Sequence, residues 1–186
     1  IIDGCSAPGA KATYAAELMK NNGMIFAYDK SSKRLASLDE AKDRLKIEII
    51  NTEVKDLTVD DIDESNKAIL DVPCSGTGVM AKQSDLRWRR DMDNLLELHL
   101  QQRKILWNVA NRIKKGGVIV YSTCSLEFEE NWMVIKAFLK SYPKFKIDNA
   151  GNYLPKEFVD EQGAFCIFPP THGIDGGFAV RLVNDD

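Results

Sequence analysis

The segment ILDVPCSGTGVM, residues 69–80, joins a short apolar run to a proline, a cysteine and a loop of small residues. The segment VIVYSTCS, residues 118–125, repeats the design, because a second apolar run ends close to a cysteine. Short apolar runs bounded by small residues are typical of strands buried on both faces of a parallel sheet. The pattern therefore predicts that Cys74 and Cys124 follow two buried strands.

Strand and helix patterns alternate along the rest of the chain. Strands are predicted at residues 1–2, 24–28, 47–50, 68–72, 118–121, 145–147 and 178–183. Four helices are predicted: at about 10–20, from Ser31 or Ser32 to about 45, from Asp91 or Asp93 to the glycines at 116–117, and at 129–141. Residues 51–67 are predicted to be mostly loop. This alternation indicates an α/β domain, whose parallel sheet has helices on both faces and binds ligands beyond the carboxyl ends of its strands.

Length and composition limit the possible classes of protein. The 186 residues suit one domain, 1–186, and no apolar run approaches the roughly 20 residues of a membrane span. The four cysteines are scattered, which favours reduced thiols and a cytoplasmic location. The two histidines are far apart, so no metal site is expected. We expect a monomer. The net charge of −3 argues against general nucleic-acid binding, and the abrupt start inside a predicted strand suggests a fragment.

The loop DGCSAPGAK, residues 3–11, separates the first predicted strand from its helix. Small residues there allow backbone N–H groups to approach a ligand, and Asp29 at the end of the second strand is placed to accept ribose hydroxyls. The loop lacks the dinucleotide glycine pattern and the Walker pattern, which favours S-adenosylmethionine over a dinucleotide or a triphosphate. The alternative is a tight turn beside a solvated acid.

Two thiols beside a methyl donor suit one reaction in particular. Carbon 5 of cytosine is a poor nucleophile until a thiolate adds to carbon 6, and the carbon 5 proton must later be removed. Asp71 could hydrogen-bond the protonated edge of the base and stabilise the adduct. The alternative for each cysteine is simple packing as a small apolar residue.

Five segments together carry a resemblance to a known family. They are DGCSAPGAK (3–11), DVPCSGTGV (71–79), DLRWRR (85–90), YSTCSLEFEEN (121–131) and IDGGFAVRL (174–182). In these segments the chain resembles the Sun/Fmu (Nop2/Sun) family of RNA cytosine-5 methyltransferases. The resemblance implies a Rossmann-like methyltransferase fold, with a mostly parallel seven-stranded sheet and an antiparallel last strand. It also implies methylation of RNA, with ribosomal RNA expected ahead of transfer RNA.

The resemblance further implies a role for each matching residue. Cys124 would be the nucleophile, Cys74 would assist proton removal and product release, and Asp71 would lie between methyl donor and base. The implied binding site for S-adenosylmethionine comprises Cys5, Ser6, Ala7, Pro8, Gly9, Ala10, Lys11, Asp29, Arg34, Glu53 and Asp71. The chain departs from the family pattern at Ala10 and Ala12 beside the loop lysine, at Glu53 and at Phe128.

A basic stretch follows the Cys74 loop. Guanidinium and ammonium groups can bind phosphates and an aromatic ring can stack on a base, so RNA contact is predicted for Lys82, Arg87, Arg89 and Arg90, beside Trp88. The alternative is a solvated basic turn. The resemblance also implies N-terminal RNA-binding segments, and we expect these to be absent from this sequence.

Three other functions remain open from the sequence. A DNA cytosine-5 methyltransferase also has a Pro-Cys loop, but there that cysteine is the nucleophile. An amino-group methyltransferase of this fold usually has Asn/Asp-Pro-Pro-Tyr/Phe where this chain has DVPC. A non-catalytic RNA-binding domain that has kept the fold would not bind the methyl donor.

Overall fold

The computed structural model describes residues 1–89 and 91–185, except for the side chains of Arg87 and Arg89. The strands are β1 (Ile2–Gly4), β2 (Ile25–Asp29), β3 (Ile50–Val54), β4 (Ser65–Asp71), β5 (Ile113–Thr123), β6 (Phe145–Asp148), β7 (Phe165–Ile167) and β8 (Gly177–Asn184). The helices are α1 (Ala10–Leu18), α2 (Ser32–Leu45), α3 (Leu86–Arg89), α4 (Met92–Ala110), α5 (Trp132–Ser141) and α6 (Pro169–His172). Short 3-10 turns lie at Thr77–Val79, Ala150–Asn152 and Lys156–Phe158.

The strands form a single sheet in the order β3-β2-β1-β4-β5-β8-β6. Neighbours from β3 to β5 are parallel, whereas β8 runs antiparallel to β5 and β6. The strand order reverses between β1 and β4, which places a ligand crevice beyond their carboxyl ends. The predicted mostly parallel sheet with an antiparallel last strand is confirmed.

The sheet has eight strands rather than the seven predicted, because β7 adds to one part of β8. This strand has only three residues, Phe165–Ile167, which is too short to produce a recognisable alternation in sequence.

Helices pack on both faces of the sheet, as predicted. Helices α4 and α5 bury an apolar stripe against one face, where Leu106, Ile135 and Phe138 lie with Tyr121 in one cluster. Helices α1 and α2 cover the other face through a separate cluster built around Leu38.

Several predicted boundaries are wrong. The long helix does not reach the glycines at 116–117, because it ends at Ala110 and β5 begins at Ile113. Ile113 fits the helical stripe but pairs with Ser65 instead, and the register then shifts before Val118. The third strand is Ile50–Val54 rather than 47–50, and the region 51–67 predicted as loop contains most of β3 and the start of β4.

Within the described ranges, no helix is long and apolar enough to cross a bilayer. The same residues contain no group of three or more His, Cys, Asp or Glu side chains placed to hold a metal ion.

Candidate active site

A cavity of about 350 Å³ opens at the carboxyl ends of β1, β2, β4 and β5. Asp29 and Arg34 line one part of it, and Asp71, Cys74 and Cys124 line another. The first loop adds Cys5, Ala7 and Pro8 to the wall. A larger cavity of about 460 Å³, between α1 and the end of α2, contains none of the predicted catalytic residues. The sheet topology therefore brings most of the predicted catalytic and cofactor-binding residues to one crevice.

The two cysteines that follow β4 and β5 meet at their sulfur atoms. Cys74 Sγ lies 2.9 Å from Cys124 Sγ, and the Cys124 N–H donates to Cys74 Sγ at 3.3 Å. Adjacent parallel strands place them there, since Asp71 pairs with Ser122 in the register of β4 and β5. Both residues are thiols rather than halves of a disulfide.

The contact between the two sulfurs shifts the pKa values of the two thiols in opposite directions. The hydrogen bond from Cys74 lowers the pKa of Cys124, although partial burial opposes this effect. The same hydrogen bond, together with burial, raises the pKa of Cys74 well above its ordinary value. The proton is thus held on Cys74 and the thiolate is favoured on Cys124, and a thiolate is the nucleophilic form of cysteine.

Cys5 lines the same cavity but has different chemistry. Burial, assisted by the nearby carboxylates of Asp29 and Asp3, raises the pKa of Cys5 to about 12. The Cys5 thiol therefore stays protonated at neutral pH and contributes packing at the edge of the cavity.

Asp71 is fixed by two neighbours at the end of β4. Its Oδ1 accepts a hydrogen bond from Ser122 Oγ at 3.1 Å, and its Oδ2 accepts one from Lys11 Nζ at 2.5 Å. Lys11 is outside the cavity wall but reaches the site through this ion pair. The carboxylate is therefore oriented between the first loop and Cys124.

Asp29 is a buried carboxylate that holds the first loop. One of its oxygens accepts the Ala7 N–H at 3.3 Å, and the other accepts the Ser31 N–H at 2.9 Å. Arg34 donates to the Ala7 carbonyl and lies 3.6 Å from Asp29 Oδ2. The loop also depends on Gly9, which has a φ of 108° and where a Cβ would overlap Leu38. Asp29 thus both holds the first loop in place and forms part of the cavity wall.

Glu53 lies apart from the cavity wall. Its side chain is on β3, where one oxygen is 3.4 Å from Lys55 Nζ and the other accepts a hydrogen bond from Asn51. The residues after β3, Lys55, Asp56 and Leu57, line the cavity instead. Sequence reasoning missed them because it ended this strand four residues too early.

The remaining predicted site residues are peripheral. Ser6 is buried and donates to Asp3 rather than facing the cavity, while Gly9 and Ala10 are not in its wall. Lys82 is exposed and forms an ion pair with Asp175 at 2.5 Å. Arg90 and the side chains of Arg87 and Arg89 lie outside the described residues, and RNA contact by this stretch stays a prediction.

Asp3, a buried carboxyl on β1, makes stability depend on pH. Burial raises its pKa from the ordinary 3.8 to about 6, against the opposing hydrogen bond from Ser6. The native state therefore keeps a proton that the unfolded state releases, so this carboxyl should lower the free energy of unfolding as pH rises from about 4 to about 6. The loss should be about 3 kcal/mol at most.

Asp3→Asn should remove this component of the pH dependence. Urea denaturation of both proteins across this pH interval measures the difference between them. We expect the variant to gain stability relative to the wild type as pH rises, and equal slopes for the two proteins would contradict the assignment.

Comparison with known proteins places the chain in a family. The model of the family described as 16S rRNA methyltransferase RsmB/F matches residues 1–183. The chain belongs to this family. The resemblance inferred from the five segments is confirmed.

Individual relatives agree with this membership. The chain is 36% identical to the probable ribosomal RNA small subunit methyltransferase B of Bacillus subtilis, covering 98% of this chain and 42% of that protein. It is 30% identical to the tRNA (cytosine(72)-C(5))-methyltransferase of Pyrococcus horikoshii, covering 98% and 46%. The crystal structure of NSun6 from Pyrococcus horikoshii with SFG superposes with a TM-score of 0.87 at 28% identity, over 100% of this chain and 47% of that one. The chain thus spans less than half the length of these relatives.

Proposed function

We propose that residues 1–186 form the catalytic domain of an enzyme that methylates carbon 5 of cytosine in RNA through a covalent adduct on Cys124. The contact between the two sulfurs, 2.9 Å apart in a cavity that also contains Asp29 and Asp71, carries the proposal. Family membership supports RNA as the substrate, and ribosomal RNA is the substrate class that the family description names. A cytoplasmic location and a monomeric state stay predictions.

The cavity fits S-adenosylmethionine in its chemistry. Buried Asp29 offers carboxylate oxygens to ribose hydroxyls, and Ile105 and Leu57 offer apolar surface. Asp71 marks the end nearest the cysteines, where the reacting carbon would lie. S-Adenosylmethionine supplies the methyl group when bound, and the first loop and Arg34 would hold it beside the base.

The first half of the reaction belongs to Cys124. Its thiolate would add to carbon 6 of cytosine and the electron pair would move to carbon 5, which would then bond to the methyl carbon as the methyl–sulfur bond of the donor breaks and its electrons stay on the donor's sulfur. Asp71 would accept a hydrogen bond from the protonated ring edge and so stabilise the adduct. Ser122 and Lys11 hold Asp71 in place for this role.

The second half belongs to Cys74. The charge of Cys124 is one of the causes that raise the pKa of Cys74, and this charge is consumed when the sulfur bonds to carbon 6. Adduct formation therefore favours release of the Cys74 proton to solvent, and the resulting thiolate can accept the proton from carbon 5. The electrons of that C–H bond restore the double bond between carbons 5 and 6, and the Cys124 sulfur leaves.

Asp29→Ala should weaken the binding of S-adenosylmethionine by roughly tenfold to a hundredfold, because a lost charged hydrogen bond costs about 1.5–3 kcal/mol. Isothermal calorimetry measures this directly. Asp43→Ala, which removes an exposed acid from α2, is the matched control and should leave affinity unchanged. Equal affinities for wild type and Asp29→Ala would exclude this placement of the ribose.

The proposed function is tested with the full-length protein that contains this chain. Purified protein and labelled S-adenosylmethionine are incubated with ribosomal RNA, transfer RNA, or DNA of the same sequences, and the product nucleosides are identified by mass spectrometry. We expect 5-methylcytidine in RNA and no methylated DNA. Methylated DNA would favour the DNA-type enzyme, and a protein that fails to bind the methyl donor would be a non-catalytic domain.

A further inference from the structure

The two peptide groups on either side of Cys74 are held by the same pair of buried side chains. Gln102 Nε2 donates to the Pro73 carbonyl at 2.9 Å, and the Ser75 N–H donates to Glu130 Oε1 at 2.8 Å. Gln102 also donates to Glu130 Oε1 at 2.8 Å, so the two side chains that hold this backbone are hydrogen-bonded to each other. The backbone is therefore held on both sides of Cys74 by Gln102 and Glu130, and these two side chains are called the clamp.

Glu130 is fully buried, as is Gln102. A buried carboxylate is costly unless hydrogen bonds compensate its desolvation. Glu130 accepts three: two at Oε1, from Ser75 N–H and from Gln102, and one at Oε2 from Ser75 Oγ at 2.5 Å. Because hydrogen bonds to a buried charged group are strong, these three bonds hold Ser75 and Gln102 firmly in position around the Glu130 carboxylate.

Glu130 is also anchored to β5, the strand that precedes Cys124. Tyr121 of β5 donates its hydroxyl to the Glu130 carbonyl at 2.6 Å. The residues that follow the two cysteines touch as well, since Ser75 Oγ and Ser125 Oγ are 3.1 Å apart. Glu130 thus links the Cys74 loop to β5, through Ser75 on one side and Tyr121 on the other.

We propose that Glu130 is a positioning residue, whose buried carboxylate, together with Gln102, holds the Cys74 thiol against the Cys124 sulfur. Its consequence for methylation rests on the proposed function. The positioning itself is a property of the folded protein and requires neither RNA nor methyl donor.

The first test measures the thiols directly. Wild type and Glu130→Gln are alkylated with iodoacetamide across the pH range of thiol titration, and mass spectrometry assigns the rate to each cysteine. A glutamine amide cannot accept all three hydrogen bonds, so Cys74 should move away from Cys124 and stop stabilising its thiolate. We expect Cys124 alkylation near neutral pH to slow by about tenfold, because a smaller fraction of this thiol would be ionised.

Glu129→Gln is the matched control, because it removes the adjacent carboxylate, which is not part of the clamp, and it should keep the wild-type profile. Circular dichroism establishes that each variant is folded. A folded Glu130→Gln with the wild-type profile at Cys124 would overturn the proposal. If Glu130→Gln does not fold, Gln102→Leu removes the two hydrogen bonds that Gln102 donates to the Pro73 carbonyl and to Glu130, and an unchanged Cys124 profile in that variant would overturn the proposal equally.

A second readout connects the clamp to the reaction. Because loss of Glu130 displaces Cys74, the variant should accumulate a covalent enzyme–RNA complex during methylation. A shifted alkylation profile without this accumulation would show that Glu130 does not act through the second half of the reaction. If the wild-type protein methylates no RNA, the proposed function fails, while the alkylation result still decides the positioning.

Discussion

Cys124→Ala should abolish methyl transfer and form no adduct, whereas Cys74→Ala should transfer the methyl group and then stall as a covalent enzyme–RNA complex. The difference follows from the sulfur contact, which favours the thiolate on Cys124 and the proton on Cys74. Without Cys124 carbon 5 is never activated, and without Cys74 the proton on carbon 5 is not removed. The complex should survive denaturing electrophoresis.

The experiment needs full-length protein, RNA and S-adenosylmethionine, with both variants shown to be folded. Cys166→Ala is the matched control, because this half-buried thiol on β7 lies outside the cavity wall. If Cys124→Ala accumulates the complex and Cys74→Ala does not, the roles are reversed and the DNA-type mechanism holds. If both variants keep full activity, the two cysteines only pack.

Gly78→Ala should damage both folding and activity. A Cβ at this position would lie 2.7 Å from the Cys124 carbonyl oxygen and 2.7 Å from the Gly176 carbonyl oxygen, and backbone atoms cannot yield as a flexible side chain does. The Gly78 N–H donates to the Cys124 carbonyl at 2.9 Å, and the Gly78 carbonyl accepts from Gly176 N–H at 2.8 Å. Separating these segments should cost about 1–3 kcal/mol of stability, as overpacking does.

The same displacement moves Cys124, so methyl transfer should fall by about a hundredfold, the effect of an error of roughly 1 Å in a reacting group. Urea denaturation and single-turnover methylation measure the two effects. Gly151→Ala is the matched control, since its Cβ would approach only the side chain of Asn149. Wild-type stability and rate in Gly78→Ala would contradict the proposed packing of the three segments.

The sequence was sufficient for the parts of the site that follow strands directly. Apolar runs before Asp71 and before Cys124 predicted two buried strands, and parallel pairing of neighbouring strands brings their carboxyl ends together. The placement of Cys74 and Cys124 at the same edge of the sheet could therefore be predicted from sequence, although their direct contact could not. Asp29 could be placed in the crevice for the same reason, because it ends the strand next to the first loop.

Other features depend on partners distant in sequence and could not be predicted. Gln102 meets Pro73 and Glu130 meets Ser75 only because α4 and the segment after β5 pack on the Cys74 loop, and a glutamine on a helix carries no local signal of this role. The end of the long helix was misplaced because Ile113 satisfies a helical spacing as well as a strand pairing. Tertiary contacts decide such ambiguous positions.

The covalent step is tested most directly by mapping the bond itself. The complex formed by Cys74→Ala is digested with nuclease and protease, and mass spectrometry identifies the peptide that carries the nucleotide. We predict that the nucleotide is a methylated cytidine attached to Cys124. Attachment to any other residue, or a complex whose cytosine carries no methyl group, would contradict the proposed division of the reaction between the two cysteines.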